Sequence, residues 1–380
     1  MPTPCRVLVL NERDPMHPSA GGAEVHVAEI SRRMAAMGYA ITLAASGFPG
    51  APHEQNIDGV EIRRLGNLAA YYPRVVWTCA RETRRGRFDV VVEHLNKVPF
   101  CAAAYSAVPV LAVNHHLFGR SAFLQVAWPI ALGVVSIERL IPWVYRRVPF
   151  LAVSQSSKQD LIERGIAAEG IGILHNGIAF PQLEIKQVTD RPCRVAYLGR
   201  LEPYKRIDRM LRALAGLVDR FPSLEIVLIG RGTARAKLER VTAELGLESR
   251  TRFTGFIGEA ERDALLADAR VCVCPSVKEG WGITVIEVNS VGTPVVATDA
   301  PGLRDAVRHD ETGLLVADGD AEGFSARLGD AIAKVLADDA LATRLSRAAR
   351  DWSRRFDWDR SAEKMAEAVD AAREGRPLPA

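Results

Sequence analysis

Two glutamates, Glu279 and Glu287, flank seven residues in the run KEGWGITVIE, directly after the apolar stretch RVCVCPS at 270–276. A buried strand, a loop with Gly280 and Gly282, and then a helix start would turn backbone N–H groups and the positive end of a helix dipole toward one point. That arrangement suits a phosphate. Carboxylates on either side of it can accept hydrogen bonds from hydroxyls flanking a diphosphate. A plainer reading stands beside this one, because Thr284-x-x-Glu287 spells a capping box and Glu279 could be a solvated loop residue.

Three further groups carry chemistry. In GRLEPYK, Arg200 and Lys205 follow another apolar run, CRVAYLG at 193–199. Arg offers a planar fork to phosphate oxygens and Lys a compact charge, so the pair could neutralise a departing diphosphate. The Gly21-Gly22 pair opens a helical pattern and permits close backbone approach to a ligand, although a bare turn explains it equally well. His115-His116 ends the run VPVLAVNHH at 108–116. A histidine there is either a hydrogen-bonded structural residue or a substrate contact.

These residues need a scaffold, and the apolar runs supply one. RVLVLN (6–11), YAITLAAS (39–46), FDVVVEH (88–94), VPVLAVNHH (108–116) and FLAVSQS (150–156) are apolar nearly throughout. That is the pattern of parallel strands covered on both faces. Ala23, Val27, Ile30, Met34 and Met37 form one apolar helical stripe that Gly38 ends. Periodicity lapses in AFPQLEIKQVTDR (179–191), and the pattern restarts with CRVAYLG, LEIVLIG (224–230), RVCVCPS, TPVVATD (293–299) and GLLVAD (313–318). The chain thus reads as α/β, with two doubly wound Rossmann-like domains and a cleft between them. In such sheets ligands lie beyond the carboxyl ends of the strands, where the chemical residues begin.

Length and composition agree. At 380 residues the chain exceeds the roughly 250 to 300 at which one core stops growing. Hydrophobic residues at 48% and charged residues at 25% exclude a disordered chain, and a net charge of +3 excludes the strong basic field of a nucleic-acid binder. The six cysteines are scattered, with no Cys-x-x-Cys pair, so reduced thiols are expected. The start MPTPCRVLVL lacks the pattern of a signal peptide, which gives a cytoplasmic expectation. Ser121 to Ile137 carries no charge and is interrupted by Pro129; it is read as a buried or groove-lining helix rather than a membrane contact. With the cluster Arg81, Arg84, Arg85 and Arg87 it keeps weak peripheral contact at the inner membrane face in view.

Taken in order, GGAEVHVAEISRRMAAMG, NHHLFG, VSQSSKQDLI, LHNGI, YLGRLEPYKRID, FTGF, CPSVKEGWGITVIE, GTPVVATDAPGLRD and ETGLLV resemble family 4 of the retaining glycosyltransferases, which have the GT-B fold. The resemblance runs from about Arg6 to Asp318. It implies domains at 1–180 (acceptor), 190–355 (nucleotide-sugar donor) and a helix at 356–380 crossing back to the first. It implies that Arg200 and Lys205 hold the diphosphate of a UDP- or GDP-sugar. Glu287 would accept from the ribose, and Glu279 would lie by the donor sugar with the amides of Gly282 and Ile283, Thr284 beside them. Gly21 and Gly22 would approach the diphosphate, His115 would contact the transferred sugar, and Phe256 with Arg231 would flank the base.

The reaction so implied is transfer of a hexose with retention to an unidentified acceptor, as in polysaccharide, glycolipid or natural-product glycoside synthesis. No cofactor or metal is expected, since Asp357-Trp358-Asp359 sits at a helix entry where Asp caps. Departures from the family pattern are VNSVG after Glu287, Pro301-Gly302 in place of a glycine pair, Asp305 where Glu is commoner, and Trp281 for Phe; they bear on sugar preference. The rival readings are a phosphorylase or epimerase on the same fold, and a nucleotide-sugar binder without turnover.

Overall fold

The apolar runs become parallel strands because each is covered on both faces by helices. The computed structural model describes residues 4–96, 98–119, 123 and 128–379. The chain forms two units, Met1–Gly177 with Asp357–Ala380, and Ile178–Phe356.

In the first unit the strands are β1 (Arg6–Leu10), β2 (Ala40–Ala45), β3 (Glu54–Ile57), β4 (Val60–Arg64), β5 (Val90–Leu95), β6 (Val110–Asn114), β7 (Phe150–Ala152) and β8 (Ile171–Ile173). Their order is β3-β4-β2-β1-β5-β6-β7-β8, parallel except for β3 against β4. The helices are α1 (Gly22–Ala36), α2 (Leu68–Arg84), α3 (Trp128–Glu138), α4 (Ile141–Val144) and α5 (Gln155–Glu163). The antiparallel pair escapes the sequence reading because EQNI and VEIRR are half polar. Its signal was the turn Asp58-Gly59, with φ of 50° and 82°, the left-handed pair that favours a tight hairpin.

The second unit carries α6 (Ile207–Ala215), α7 (Arg235–Glu244), α8 (Glu259–Ala267), α9 (Ile283–Ser290), α10 (Leu303–Ala306), α11 (Ala321–Ala337) and α12 (Asp339–Ser353). Its strands are β9 (Arg194–Leu198), β10 (Glu225–Ile229), β11 (Thr251–Gly255), β12 (Val271–Cys274), β13 (Val295–Thr298) and β14 (Gly313–Val316). They run in the order β11-β10-β9-β12-β13-β14. The chain builds outward from β9 on one side and then returns to its other side, so the crevice of the sheet opens between the ends of β9 and β12. Tyr197, Leu211, Leu228, Phe324 and Leu345 are fully buried in the core beneath it.

The last helix, α13 (Trp358–Glu374), packs on α1 of the first unit. Asp357 caps it, its carboxylate accepting from the Asp359 amide at 2.7 Å, while Asp359 itself pairs with Arg33. Gly177 is required there, since a Cβ on it would lie 2.3 Å from the Trp358 nitrogen. Tyr39 donates to Asp370 at 2.7 Å, and the Ser361 hydroxyl donates to the His175 carbonyl at 2.9 Å.

One expectation is corrected. Of the charge-free run at 121–137, residues 121–122 and 124–127 lie outside the described residues, and the remainder is mostly α3. It is not buried: Ala131, Val134 and Glu138 face inward, whereas Trp128, Ile130 and Leu132 are exposed. No described helix is long and apolar enough to cross a membrane.

Trp358 is 3% exposed and packs edge-on to His26. Trp358→Ala is therefore expected to destabilise the first unit by about 3 kcal/mol or more, read as a lowered midpoint in urea; an unchanged midpoint would show that α13 contributes no packing energy.

Candidate functional site

In the second unit the loop after β9 is pinned by one side-chain and one backbone hydrogen bond. The Tyr197 hydroxyl donates to the Arg200 carbonyl at 2.9 Å, and the Leu201 amide donates to the Arg231 carbonyl at 3.0 Å. Pro203–Lys205 forms a single 3-10 turn. This turn faces the loop after β12, where the Val277 amide donates to the Tyr204 carbonyl at 3.1 Å. Lys205, 8% exposed, then places its Nζ 2.5 Å from Glu279 Oε1, and Arg200 Nη2 donates to the Tyr204 hydroxyl at 3.0 Å. Arg200, Lys205 and Glu279 thus share one small patch.

The charges are kept. Burial works against the Lys205 ammonium, but Glu279 and Tyr204 outweigh it, so its pKa lies above the ordinary lysine value. Arg200 is likewise raised, burial being overcome by Tyr204, Glu202 and Glu279. Two cations and one acid make a local field suited to an anionic leaving group.

Glu279 is positioned by a third loop. Its amide donates to the Pro301 carbonyl at 3.0 Å, and Gly302, at φ 80°, lies so close that a Cβ would sit 2.3 Å from the Glu279 oxygen. The reduced glycine pair keeps the one member that the geometry requires. Gly282, at φ 76°, is the N-cap of α9, with no side-chain cap. Ile283, Thr284 and Glu287 follow as its first, second and fifth residues, so the capping box does not form. Glu287 instead lies 3.4 Å from Arg262 Nη1 on α8. A quarter of its side chain is exposed, yet loss of solvation pushes its carboxyl up to about 7 against the pull of Arg262. Arg231 stacks its guanidinium 5.2 Å from the centre of the Phe256 ring, which is 78% exposed.

In the first unit Gly21 is the N-cap of α1, and its amide donates to Glu24 Oε2 at 2.7 Å. The preceding loop is pinned by a buried ion pair between Asp14 and Arg64 at 2.7 Å. His115 follows β6 and is 6% exposed. Its Nε2 lies 2.8 Å from His94 Nδ1, the rings stacked, and His26 stands edge-on to it at 4.6 Å between centres. His26 Nδ1 lies 2.9 Å from Asn176 Oδ1, which fixes the proton on Nδ1 and leaves the buried Nε2 lone pair without a partner. His116 turns instead toward Phe118.

These imidazoles each bring one ring nitrogen within 4.8 Å of the others. Among the described residues they are the set close enough to hold an ion, although only His26 has an outer partner that fixes its tautomer and the facing nitrogens of His94 and His115 share a proton. Burial pulls all three below the ordinary histidine value, His26 to about 4, so they are neutral at physiological pH.

Sequence reasoning missed His26, His94, Asn176, Tyr204 and Arg262. His94 had a signal, because like His115 it closes an apolar run, and two such runs side by side in a parallel sheet present their ends together. His26 fell outside the α1 apolar stripe, and Asn176, Tyr204 and Arg262 are ordinary loop or helix polar residues until the fold brings them in.

Comparison with known proteins bears on both units. Residues 20–180 match the family model described as Glycosyltransferase Family 4, and residues 182–352 match the one described as Glycosyl transferases group 1. The chain is 29% identical over 354 residues to a phosphatidyl-myo-inositol mannosyltransferase of Mycobacterium leprae, covering 89% of this chain and 90% of that protein. It is 27% identical over 419 residues to a D-inositol 3-phosphate glycosyltransferase of Streptomyces scabiei, covering 97% and 92%. Among solved structures it superposes on sucrose-phosphate synthase of Thermosynechococcus elongatus with TM-score 0.77 at 22% identity, covering 95% of this chain and 97% of that one. Anabaena HepE in complex with UDP and glucose gives TM-score 0.76 at 20% identity, covering 97% and 100%. At these identities the structures establish the fold, GT-B.

Neutral burial of His26 has a cost in acid. Its folded pKa of about 4 lies below the unfolded 6.5, so its contribution is complete above pH 6.5 and is lost progressively as pH falls toward 4. Melting temperature is expected to drop across that window, and more shallowly in His26→Gln; parallel profiles would remove His26 from the account.

Proposed function

The chain belongs to glycosyltransferase family 4, and from that membership and the geometry of its second unit we propose that it moves a hexose from a UDP- or GDP-sugar to an acceptor hydroxyl with retention at the anomeric carbon. The observation that carries this reading is the patch of Arg200, Lys205 and Glu279 at the ends of β9 and β12. Further support comes from the HepE structures, described with UDP and with UDP-glucose, and from relatives named for mannosyl transfer and for inositol-bearing substrates.

In the proposed reaction the bond from the acceptor oxygen to the anomeric carbon forms as the bond to the diphosphate breaks. The acceptor proton passes to the departing diphosphate on the same face, and Arg200 and Lys205 stabilise the charge that develops there. Glu279 orients Lys205 and accepts from the hydroxyls of the donor sugar. Glu287 accepts from the ribose, Gly282, Ile283 and Thr284 line the start of α9, and Phe256 with Arg231 offers a stacking face to the base. The first unit carries the Gly21-Gly22 turn and His115, which the family resemblance assigns to the diphosphate and to the transferred sugar.

Because two side-chain cations neutralise the diphosphate, the proposed transfer needs no divalent ion. Excess EDTA should leave the rate unchanged, whereas a rate lost to EDTA and restored by zinc would shift attention to the three imidazoles. Lys205→Ala should lower turnover about 100-fold or more with the fold retained by circular dichroism; a rate near that of the parent protein would remove Lys205 from the mechanism.

Glu287 adds a pH dependence. If it binds ribose hydroxyls as a carboxylate, its value of about 7 makes donor affinity rise with pH through neutrality, falling up to about tenfold per unit below it. Titration calorimetry with an intact sugar nucleotide should show this slope, and Glu287→Gln should flatten it. A slope that survives in Glu287→Gln would place the titrating group elsewhere.

A further inference from the structure

A helix on the surface of a water-soluble unit normally turns apolar residues inward and polar ones outward. The α3–α4 segment breaks this rule. Its inner side is satisfied: Ala131 and Val134 pack with Val98, Phe118 and Val135, and Ile141 and Tyr145 join the core. Its outer side is also apolar, with Trp128, Ile130, Leu132, Leu140 and Trp143 exposed, the two tryptophans at 69% and 82%. Trp128 and Leu132 are four residues apart and share one side of α3, and Leu140 and Trp143 are three apart around the start of α4.

The charges of this segment are equally one-sided. Arg139, Arg146 and Arg147 are exposed, and among the described residues none pairs with a carboxylate. The segment has one acid, Glu138, and it is spent internally. Its side chain is fully buried, accepting from the amides of Phe118 and Gly119 at 2.7 and 2.9 Å and pairing with Arg164 at 3.2 Å. A hollow of about 860 Å³ opens beside α4, lined by Trp143, Arg146, Arg147 and Arg376 with Glu169 at its edge. An apolar face bordered by tryptophan, on a segment whose own exposed charges are all positive, is therefore left against solvent.

We propose that this face docks on a membrane surface bearing anionic headgroups, α3 and α4 lying in the plane of the interface. The side chains fit the layers of such a surface. Trp128 and Trp143 suit the boundary between headgroups and chains, Ile130, Leu132 and Leu140 reach below it, and the arginines extend to phosphates. A second copy of the chain is the poorer occupant. A two-fold contact would set the same arginines against one another with no exposed carboxylate in the segment to offset them. The eleven residues of α3 are too few to span, so the contact is peripheral and weakened by salt.

The test reads binding, not sugar transfer, so its outcome is independent of the proposed reaction. The full chain is floated with vesicles of phosphatidylcholine alone and of phosphatidylcholine with phosphatidylglycerol, at low and high salt. Retention on the anionic vesicles at low salt is expected, at least tenfold above the neutral ones. Leu132→Ser with Trp143→Ser, both at exposed positions, should reduce it at least tenfold. Arg146→Gln with Arg147→Gln should abolish the preference for anionic lipid. Failure of the parent chain to float with anionic vesicles overturns the proposal. So does equal retention of the variants, or a dimer in sedimentation that the same substitutions dissociate.

Discussion

Lys205 and Glu279 are 74 residues apart and belong to loops that follow different strands, yet their side chains meet at 2.5 Å. That contact depends on β9 and β12 being hydrogen-bonded neighbours, with Val271 beside Val195 and Cys272 beside Ala196. Only at the place where the chain changes direction of build do two loops leave adjacent strands without a crossover helix between them. The loop after β13 then closes on Glu279 through the Pro301 carbonyl, with contact so tight that only glycine fits at 302. The patch that can meet a diphosphate is thus a consequence of strand order, and the core of Tyr197, Leu211 and Leu228 holds that order in place.

The first unit solves a different problem at the same end of its sheet. His94 and His115 lie on and just after neighbouring strands, and α1 brings His26 against them, while Asn176 fixes which nitrogen carries the proton. Three imidazoles in so little space cannot all be charged, and burial keeps them neutral. The arrangement orients His115 through its neighbours rather than through solvent. Trp358, at the start of α13, closes the cluster from the other side, which makes the carboxyl-terminal helix part of the support of His115 although it lies more than 240 residues further along the chain.

The outer side of α3 and α4 is a place where burial and composition disagree. An apolar helix that is fully covered contributes to a core, and one that is half covered carries a standing cost in water unless something else covers it. The buried carboxylate of Glu138 sharpens the contrast, because the sole acid of the segment is used to hold the Phe118–Gly119 turn. The exposed remainder is cationic and apolar together.

The residues themselves determined the class of the fold, because continuous apolar runs separated by helical stripes leave few alternatives to covered parallel strands. They also offered Arg200, Lys205, Glu279 and Glu287 as candidate groups, which the family resemblance, not the local pattern, set apart from a capping box and a solvated loop. The half-polar hairpin β3–β4 stayed hidden, its only mark being Asp58-Gly59. What the tertiary structure alone decided is partnership. That Glu279 faces Lys205 whereas Glu287 faces Arg262, that Thr284 does not cap, that His26 and His94 surround His115, and that α3 is bare on one side all follow from which elements pack together. Spacing along a chain fixes which residues share a face of one helix or strand, but contacts between loops of different strands depend on sheet order, which no local pattern encodes.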